Sequence, residues 1–177
     1  MKKPLFLLFL LTVFATNAQE LTQDSQKTKV TFKIKNFGVN VDGRFGEVDI
    51  RTNFDSNNTE NSYINATIAV KSIDTGNRSR DGHLLKEDYF NESTYENITL
   101  KSTKLEKKGS EVCMMTADLT IKGITKEIQI PIIFQETSEL VLFQSSFQIN
   151  RRDFEVGGGT MVMSKKVKIQ VRYTGTK

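Results

Sequence analysis

The sequence predicts an all-β fold, a single antiparallel barrel of eight strands with a short helical lid near residues 79–88. Three observations carry that expectation. Eight segments alternate apolar with polar residues, the period of a strand with one dry and one wet face. Brief turn-forming stretches separate most of them, with none of the long helical crossovers that a parallel sheet requires. A dense polar loop within residues 72–102 interrupts the series once. Eight strands enclose an interior just wide enough for side chains or one small ligand, and closure removes the exposed edges. A two-sheet sandwich would show the same alternation and stays open as the alternative fold.

The chain opens like a leader. Lys2 and Lys3 precede an apolar run at residues 5–15, followed by small and polar residues suited to cleavage after Ala18. The run is too short to span a bilayer, which argues against a retained anchor, and no cysteine follows it to take a lipid. The expectation is a signal peptide at residues 1–18 and a periplasmic or extracellular protein in a bacterium. Removing 18 of the 177 residues leaves 159, enough for one domain. Residues 19–26 are polar and aperiodic and read as a flexible lead-in, with the barrel domain at 27–177.

The first strand sets Val30, Phe32 and Ile34 against Thr31, Lys33 and Lys35. Residues 36–43 then read as a turn. The second strand offers Val48, Ile50 and Phe54, with Phe45 out of phase, which implies a bulge near Gly46. The third presents Ile64, Ala66, Ile68 and Val70, and the fourth, beyond the polar loop, Ile98 and Leu100. In the fifth, Cys113, Met115, Ala117, Leu119 and Ile121 face inward. After a Lys122-Gly123 turn the sixth presents Ile128, Ile130, Ile132 and Phe134. Pro131, on the opposite face, lacks an N–H and marks an edge or a bulge. The seventh has Val141, Phe143, Phe147 and Ile149; the eighth has Met161, Met163, Val167, Ile169, Val171 and Tyr173. From these inward sets, Phe32, Ile34, Val48, Ile50, Ile68, Val70, Ile98, Leu100, Met115, Leu119, Ile130, Phe143, Phe147, Met161, Met163 and Ile169 are the candidate cavity lining.

In the polar loop, Asp74, Thr75, Gly76 and Asn77 are turn formers that end a strand. Ser79 or Asp81 is suited to cap a short helix running through Leu84 and Leu85 to about Asp88. A helix this short does not stand alone, so Leu84, Leu85 and Phe90 must pack on something, and the segment reads as a lid. Arg80, Asp81, His83 and Asp88 then ring the mouth beneath it. Arg80 with Asp81, and Arg152 with Asp153, are expected as ion pairs that fix the lid and the barrel end. The run Val156-Gly157-Gly158-Gly159 lacks the Lys-Ser/Thr of a phosphate loop and leads into a strand, so it reads as a turn that permits close approach at the mouth.

Asp74-Thr75-Gly76-Asn77, Arg80-Asp81-Gly82-His83-Leu84-Leu85, Asp88-Tyr89-Phe90 and Tyr95-Glu96-Asn97-Ile98-Thr99 stand in a fixed order. Leu119-Thr120-Ile121-Lys122-Gly123-Ile124-Thr125-Lys126 and Arg152-Asp153-Phe154 follow in register. This series resembles the signature of the YceI-like family of secreted polyisoprenoid-binding proteins, over nearly all of the mature chain. The resemblance implies a lipocalin-like barrel of eight antiparallel strands holding a polyisoprenoid lipid such as a long-chain quinone or prenol. The chain departs from the family pattern at Asn36, where many members carry His, at Tyr89, where Phe is common, and at Glu155, where Gly often follows.

The remaining chemistry is sparse. The net charge is +4, of which Lys2 and Lys3 supply two, and the basic residues are interspersed with acids, so nothing resembles a phosphate-tracking stripe and no nucleic-acid partner is expected. Cys113 is the only cysteine and falls in the apolar phase of its strand, as a buried inert thiol. With His83 the only histidine, Cys-based and His-paired metal sites are excluded, and no metal or other cofactor is expected beyond the quinone or prenol as cargo. His83 is also the only imidazole base, and no G-x-S-x-G accompanies it, so a lipid-modifying hydrolase ranks last and no catalytic residue is assigned. Each isoprene unit buries five carbons, worth roughly 3–4 kcal/mol before ordering costs at about 0.8 kcal/mol per CH₂. A few units suffice for tight binding with no acid, base or metal. The expected partners are the isoprenoid lipid and, transiently, a membrane surface or membrane redox proteins; a homodimer is compatible with the sequence. The competing reading is a secreted interaction module whose barrel interior is filled.

Overall fold

The computed structural model describes residues 19–159 and 162–177. The leader and Met161 lie outside them, and with them the signal-peptide reading and one expected cavity residue. Strand β1 is Thr22–Gln23, β2 Lys29–Asn36, β3 Val39–Phe45, β4 Val48–Thr52, β5 Ile64–Ala69 and β6 Ile73–Asp74. After the helix α1, Arg78–Leu84, come β7 Asn97–Lys107, β8 Val112–Ile121, β9 Ile124–Glu136, β10 Leu140–Asn150 and β11 Met163–Thr176.

These eleven segments amount to eight long strands and one short one. Only Gly46 and Glu47 separate β3 from β4, and only a 3₁₀ turn, Val70–Ser72, separates β5 from β6. β4 pairs with β5 and β3 with β6, while the sheet runs on from β5 through β7, β8, β9, β10, β11 and β2 to β3. The antiparallel sheet thus closes on itself, and the all-β barrel expected from the alternation is the architecture found. The break at Gly46-Glu47 is the predicted bulge: it lets Phe45 and Val48, an odd number of residues apart, both face inward.

Residues 36–43 are a correction. Only Phe37 and Gly38 turn; Val39 to Phe45 form β3, in register with β2 from Asn36↔Val39 to Val30↔Phe45. Asn40, Asp42 and Gly43 suggest a turn by composition, but packing overrides composition. A Cβ at Gly43 would stand 2.2 Å from the tip of the Phe32 ring, so glycine there makes room for an inward aromatic on the neighbouring strand.

The lead-in is a second correction, because residues 19–26 are docked. β1 pairs with the end of β11, Leu21 is buried, and its N–H bonds Thr52 O at 2.8 Å. Gln23 donates its amide to Val48 O at 2.8 Å and accepts the Ile50 N–H at 2.7 Å. A polar side chain thereby satisfies the free edge of β4, a role without periodicity to betray it. Pro131 sits where the β9–β10 ladder ends, at Ser145↔Ile132, and the Ser145 hydroxyl donates to its carbonyl at 2.6 Å.

One end of the barrel is floored by aromatics. Phe54 meets Phe134 and Phe143 edge-on at 5.1 and 5.0 Å, and Tyr173 stacks on Phe143 at 5.2 Å. Cys113, Ala117 and Val141 are fully buried in the same cluster, and burial pushes the Cys113 thiol up from its ordinary pKa. At the other end Val70, Ile98, Leu119, Ile121, Phe154 and Val156 form a second cluster beneath the lid.

Candidate functional site

Two cavities lie inside the barrel, one beneath the lid and one above the aromatic floor. The upper has a volume of about 130 Å³ and is walled by Phe32, Ile34, Val41 and Phe45 on one side and Leu84, Tyr89 and Phe90 of the lid on another. The lower, also about 130 Å³, lies among Ile50, Ile68, Leu100, Met115, Leu119, Ile130, Phe143 and Phe147. Phe45, Ile98, Ile121, Ile149 and Ile169 face both, so side chains alone divide one apolar interior. Among the described residues, polar groups enter the upper cavity as Asn36, Thr75, Arg80, Arg151 and Tyr89, and the lower as Ser145 and Tyr173.

The structure brings together most of the lining expected from alternation. Phe32, Ile34 and Met163 line the upper cavity, Ile98 and Ile169 both, and Ile50, Ile68, Leu100, Met115, Leu119, Ile130, Phe143 and Phe147 the lower. Val48 and Val70 do not belong to it. Val48 packs against the floor cluster, and Val70, buried in the 3₁₀ turn after β5, packs in the cluster under the lid. Sequence reasoning missed Val41, read as turn, and Phe45, read as out of phase. It also missed Ile73 and Tyr89, although Tyr89 stands inside a quoted motif.

The lid is built on Thr75. Its helix is capped by Asn77, in place of Ser79 or Asp81: the Asn77 side chain accepts the Arg80 N–H at 3.0 Å. The carboxylate of Asp81 turns back to accept the Thr75 N–H at 2.9 Å and hydroxyl at 2.5 Å. Arg80 donates through Nε to the Thr75 hydroxyl oxygen at 2.7 Å and through its terminal nitrogen to the Thr75 carbonyl at 2.8 Å. The expected Arg80–Asp81 ion pair is therefore replaced by a shared threonine, which holds the guanidinium on the wall of the upper cavity.

Arg80 and Leu84 are four residues apart and share the inward face of α1, whereas His83 is about 100° round from Leu84. His83 consequently lies outside the mouth, and Asp88, in the turn after α1, lies with it in an exposed groove with Glu87, Lys122, Arg152 and the glycine run. The His83 ring meets Tyr89 edge-on at 5.2 Å, and the backbone carbonyl of Asp88 accepts the Gly157 N–H at 2.8 Å. Leu85 packs beside the cavity in the lid cluster.

At the barrel end the residue that matters is Arg151, which the sequence does not distinguish from Arg152. It is buried and donates to Ser164 O, Val156 O, Gly158 O and Met163 O at 2.7–3.0 Å, binding the β10–β11 connection over the cavity. Burial, with Arg152 close by, lowers its pKa from the ordinary value. Asp153 accepts from the Asn150 amide at 2.7 Å. Among the described residues no group of three His, Cys, Asp or Glu is placed to hold a metal, and no helix is long and apolar enough to cross a membrane.

A lidded antiparallel barrel with an apolar interior narrows the choice of family, and the sequence decides it: residues 21–174 match the YceI-like domain. The chain belongs to the YceI-like family. It is 28% identical over 173 residues to a UPF0312 protein of Vibrio campbellii, covering 93% of this chain and 90% of that one. To a UPF0312 protein of Photorhabdus laumondii it is 36% identical over 104 residues, and to Protein YceI of Escherichia coli O157:H7 34% over 110. Those two alignments span 54% and 57% of the relatives' own length. Among solved structures, Burkholderia cenocepacia BcnA superposes with a TM-score of 0.82 at 26% identity, covering 86% of this chain and 98% of that one. A Saccharophagus degradans domain described as polyisoprenoid binding, and implicated in plant cell wall breakdown, shares the fold at TM-score 0.74 and 16% identity, over 89% of this chain and 97% of that one.

Proposed function

We propose that this YceI-like protein binds a polyisoprenoid lipid, a long-chain quinone or prenol, inside its barrel and sequesters or carries it outside the inner membrane without chemical change. The observation that carries this reading is the pair of apolar cavities sharing Phe45, Ile98, Ile121, Ile149 and Ile169. A barrel filled at the packing density of protein interiors leaves no such space. The polar groups sit where a headgroup would, at the lid end, with Asn36, Thr75 and Arg80 on the wall, a distribution suited to an amphipathic ligand held by its tail and oriented by its head. The description of the Saccharophagus domain as polyisoprenoid binding supports the same cargo class. His83, the only imidazole in the chain, lines neither cavity, which favours binding over catalysis. Residues 1–18 supply the export signal in this reading.

The test is extraction with organic solvent, followed by mass spectrometry, of protein purified from its own host, together with titration of the delipidated protein with a quinone in detergent. Recovery of a prenyl-chain lipid and saturable quinone binding are expected. Protein that is empty from its host and takes up neither quinone nor prenol overturns the reading.

A further inference from the structure

The largest exposed apolar side chains beside the upper cavity form one group. Phe37 is 75% exposed, Val39 67% and Val162 45%, and the Phe37 N–H bonds Val162 O at 2.8 Å, tying the tip of the β2–β3 hairpin to the start of β11. Phe37 and Gly38 have φ of +50° and +78°, a tight hairpin turn whose first position favours Asn or Asp. Turn geometry therefore does not select a phenylalanine here, and the core does not use its ring. The neighbouring residues on both strands, Asn36 and Met163, line the upper cavity and face each other across the ladder.

Behind this tip the outer face is basic. Lys33 and Lys168 are cross-strand partners, and Lys165 and Lys166 lie in the irregular stretch of β11 between Met163 and Val167, opposite Lys35 of β2. Lys33 is paired with Asp42 at 3.1 Å; the other four form no ion pair among the described residues. An apolar tip edged by lysines matches the two layers of an anionic bilayer, an acyl boundary beneath negatively charged headgroups. Asn36 and Met163 beside that tip line the upper cavity.

We propose that the β2–β3 hairpin tip and the start of β11 dock on an anionic phospholipid surface, with Phe37, Val39 and Val162 in the interface and the lysines on the headgroups. A prenyl lipid would then pass between bilayer and cavity without its tail crossing water. The proposal rests on the cargo reading above and adds to it the route of loading.

The experiment compares sedimentation of the full-length protein with vesicles of phosphatidylcholine plus phosphatidylglycerol and with vesicles of phosphatidylcholine alone, and measures the rate at which it withdraws quinone from the former. Binding to the anionic vesicles that weakens with salt is expected. Phe37→Asn with Val39→Thr, a pair compatible with the turn and the strand, should reduce vesicle binding and the transfer rate about tenfold or more, with quinone affinity in detergent unchanged. Lys165→Gln and Lys166→Gln should each weaken anionic-vesicle binding about fivefold. Ile133→Ser, which removes an exposed apolar side chain on β9, should leave it unchanged. Wild-type protein that binds quinone in detergent but ignores the vesicles, or vesicle binding untouched by the Phe37 and Val39 changes, overturns the docking proposal. So does self-association abolished by Phe37→Asn, which would make the tip a contact between copies. Absence of quinone binding in detergent overturns the cargo reading instead.

Discussion

The ring of Tyr89 lies against Gly157 so closely that a Cβ on Gly157 would stand 2.9 Å from it. The lid and the β10–β11 connection are thus fitted to each other through a missing side chain, with the Asp88 carbonyl and the Gly157 N–H joined beside it at 2.8 Å. Gly157 also has φ +72°.

Gly157→Ala should therefore combine backbone strain with a collision against Tyr89 and Met163, at a cost on the order of 2–3 kcal/mol. Thermal melting should show a fall of roughly 5–10 °C. Gly158→Ala, also at positive φ but with nothing within 4 Å of its Cβ position, should cost clearly less. Equal losses for the two would mean that the contact with Tyr89 contributes nothing.

Thr75 joins the two charged residues of the lid, so Thr75→Val should loosen both. It removes the hydroxyl that donates to Asp81 and accepts from Arg80, costing about 1–3 kcal/mol, and leaves the guanidinium held by the Thr75 carbonyl alone and Asp81 by the Thr75 N–H alone. Calorimetric titration should show quinone affinity weakened about tenfold, with Thr75→Ser close to wild type. Matching affinities for all three proteins would remove Thr75 and Arg80 from the headgroup end.

Leu84→Ala with Phe90→Ala should separate function from stability. Both side chains face the upper cavity and are half-buried, so truncating them should weaken prenyl-lipid retention more than it lowers the melting temperature of delipidated protein. Delipidated samples are needed because bound ligand itself raises apparent stability. A large loss of stability with unchanged affinity per folded molecule would make these residues ordinary core.

The Tyr173 hydroxyl is buried and has no hydrogen-bond partner among the described residues, and burial, with a smaller contribution from Glu20, pushes its pKa up to about 12. An unfolded tyrosine ionises near pH 10. Between about pH 10 and pH 12 the unfolded chain binds fewer protons than the folded one, so stability falls as pH rises. Tyr173→Phe should be neutral or stabilising by up to ~1 kcal/mol at pH 7 and should flatten that alkaline decline, as read from denaturant melts at several pH values. A steeper decline in the variant would contradict the burial argument.

The fold was legible because strand alternation is local. Each residue's face follows from its neighbours two positions away, and the inward sets of β8, β9 and β10 agree with the structure nearly residue for residue. Legibility failed where the signal is not periodic. Gly43 looked like a turn because its partner, the Phe32 ring, lies on another strand; Gln23 looked like flexible lead-in because a single amide finishing the edge of β4 leaves no pattern. The lid motif pointed to the correct segment but to the wrong contacts. Arg80 and Asp81 are adjacent, and adjacency suggests a pair, while the helix phase set by the Asn77 cap sends both to Thr75 and turns His83 outward.

The sequence by itself determined the class of fold, the strands that face inward and the family, because burial along a strand and the order of motifs are written in near-neighbour spacing. The tertiary structure alone decided that the interior keeps two adjoining apolar spaces, that Arg151 and not Arg152 is the buried arginine at the barrel end, and that Gly157 seats Tyr89. Those outcomes depend on how side chains from strands far apart in sequence meet across the barrel, and one-dimensional spacing carries no information on the distance between them.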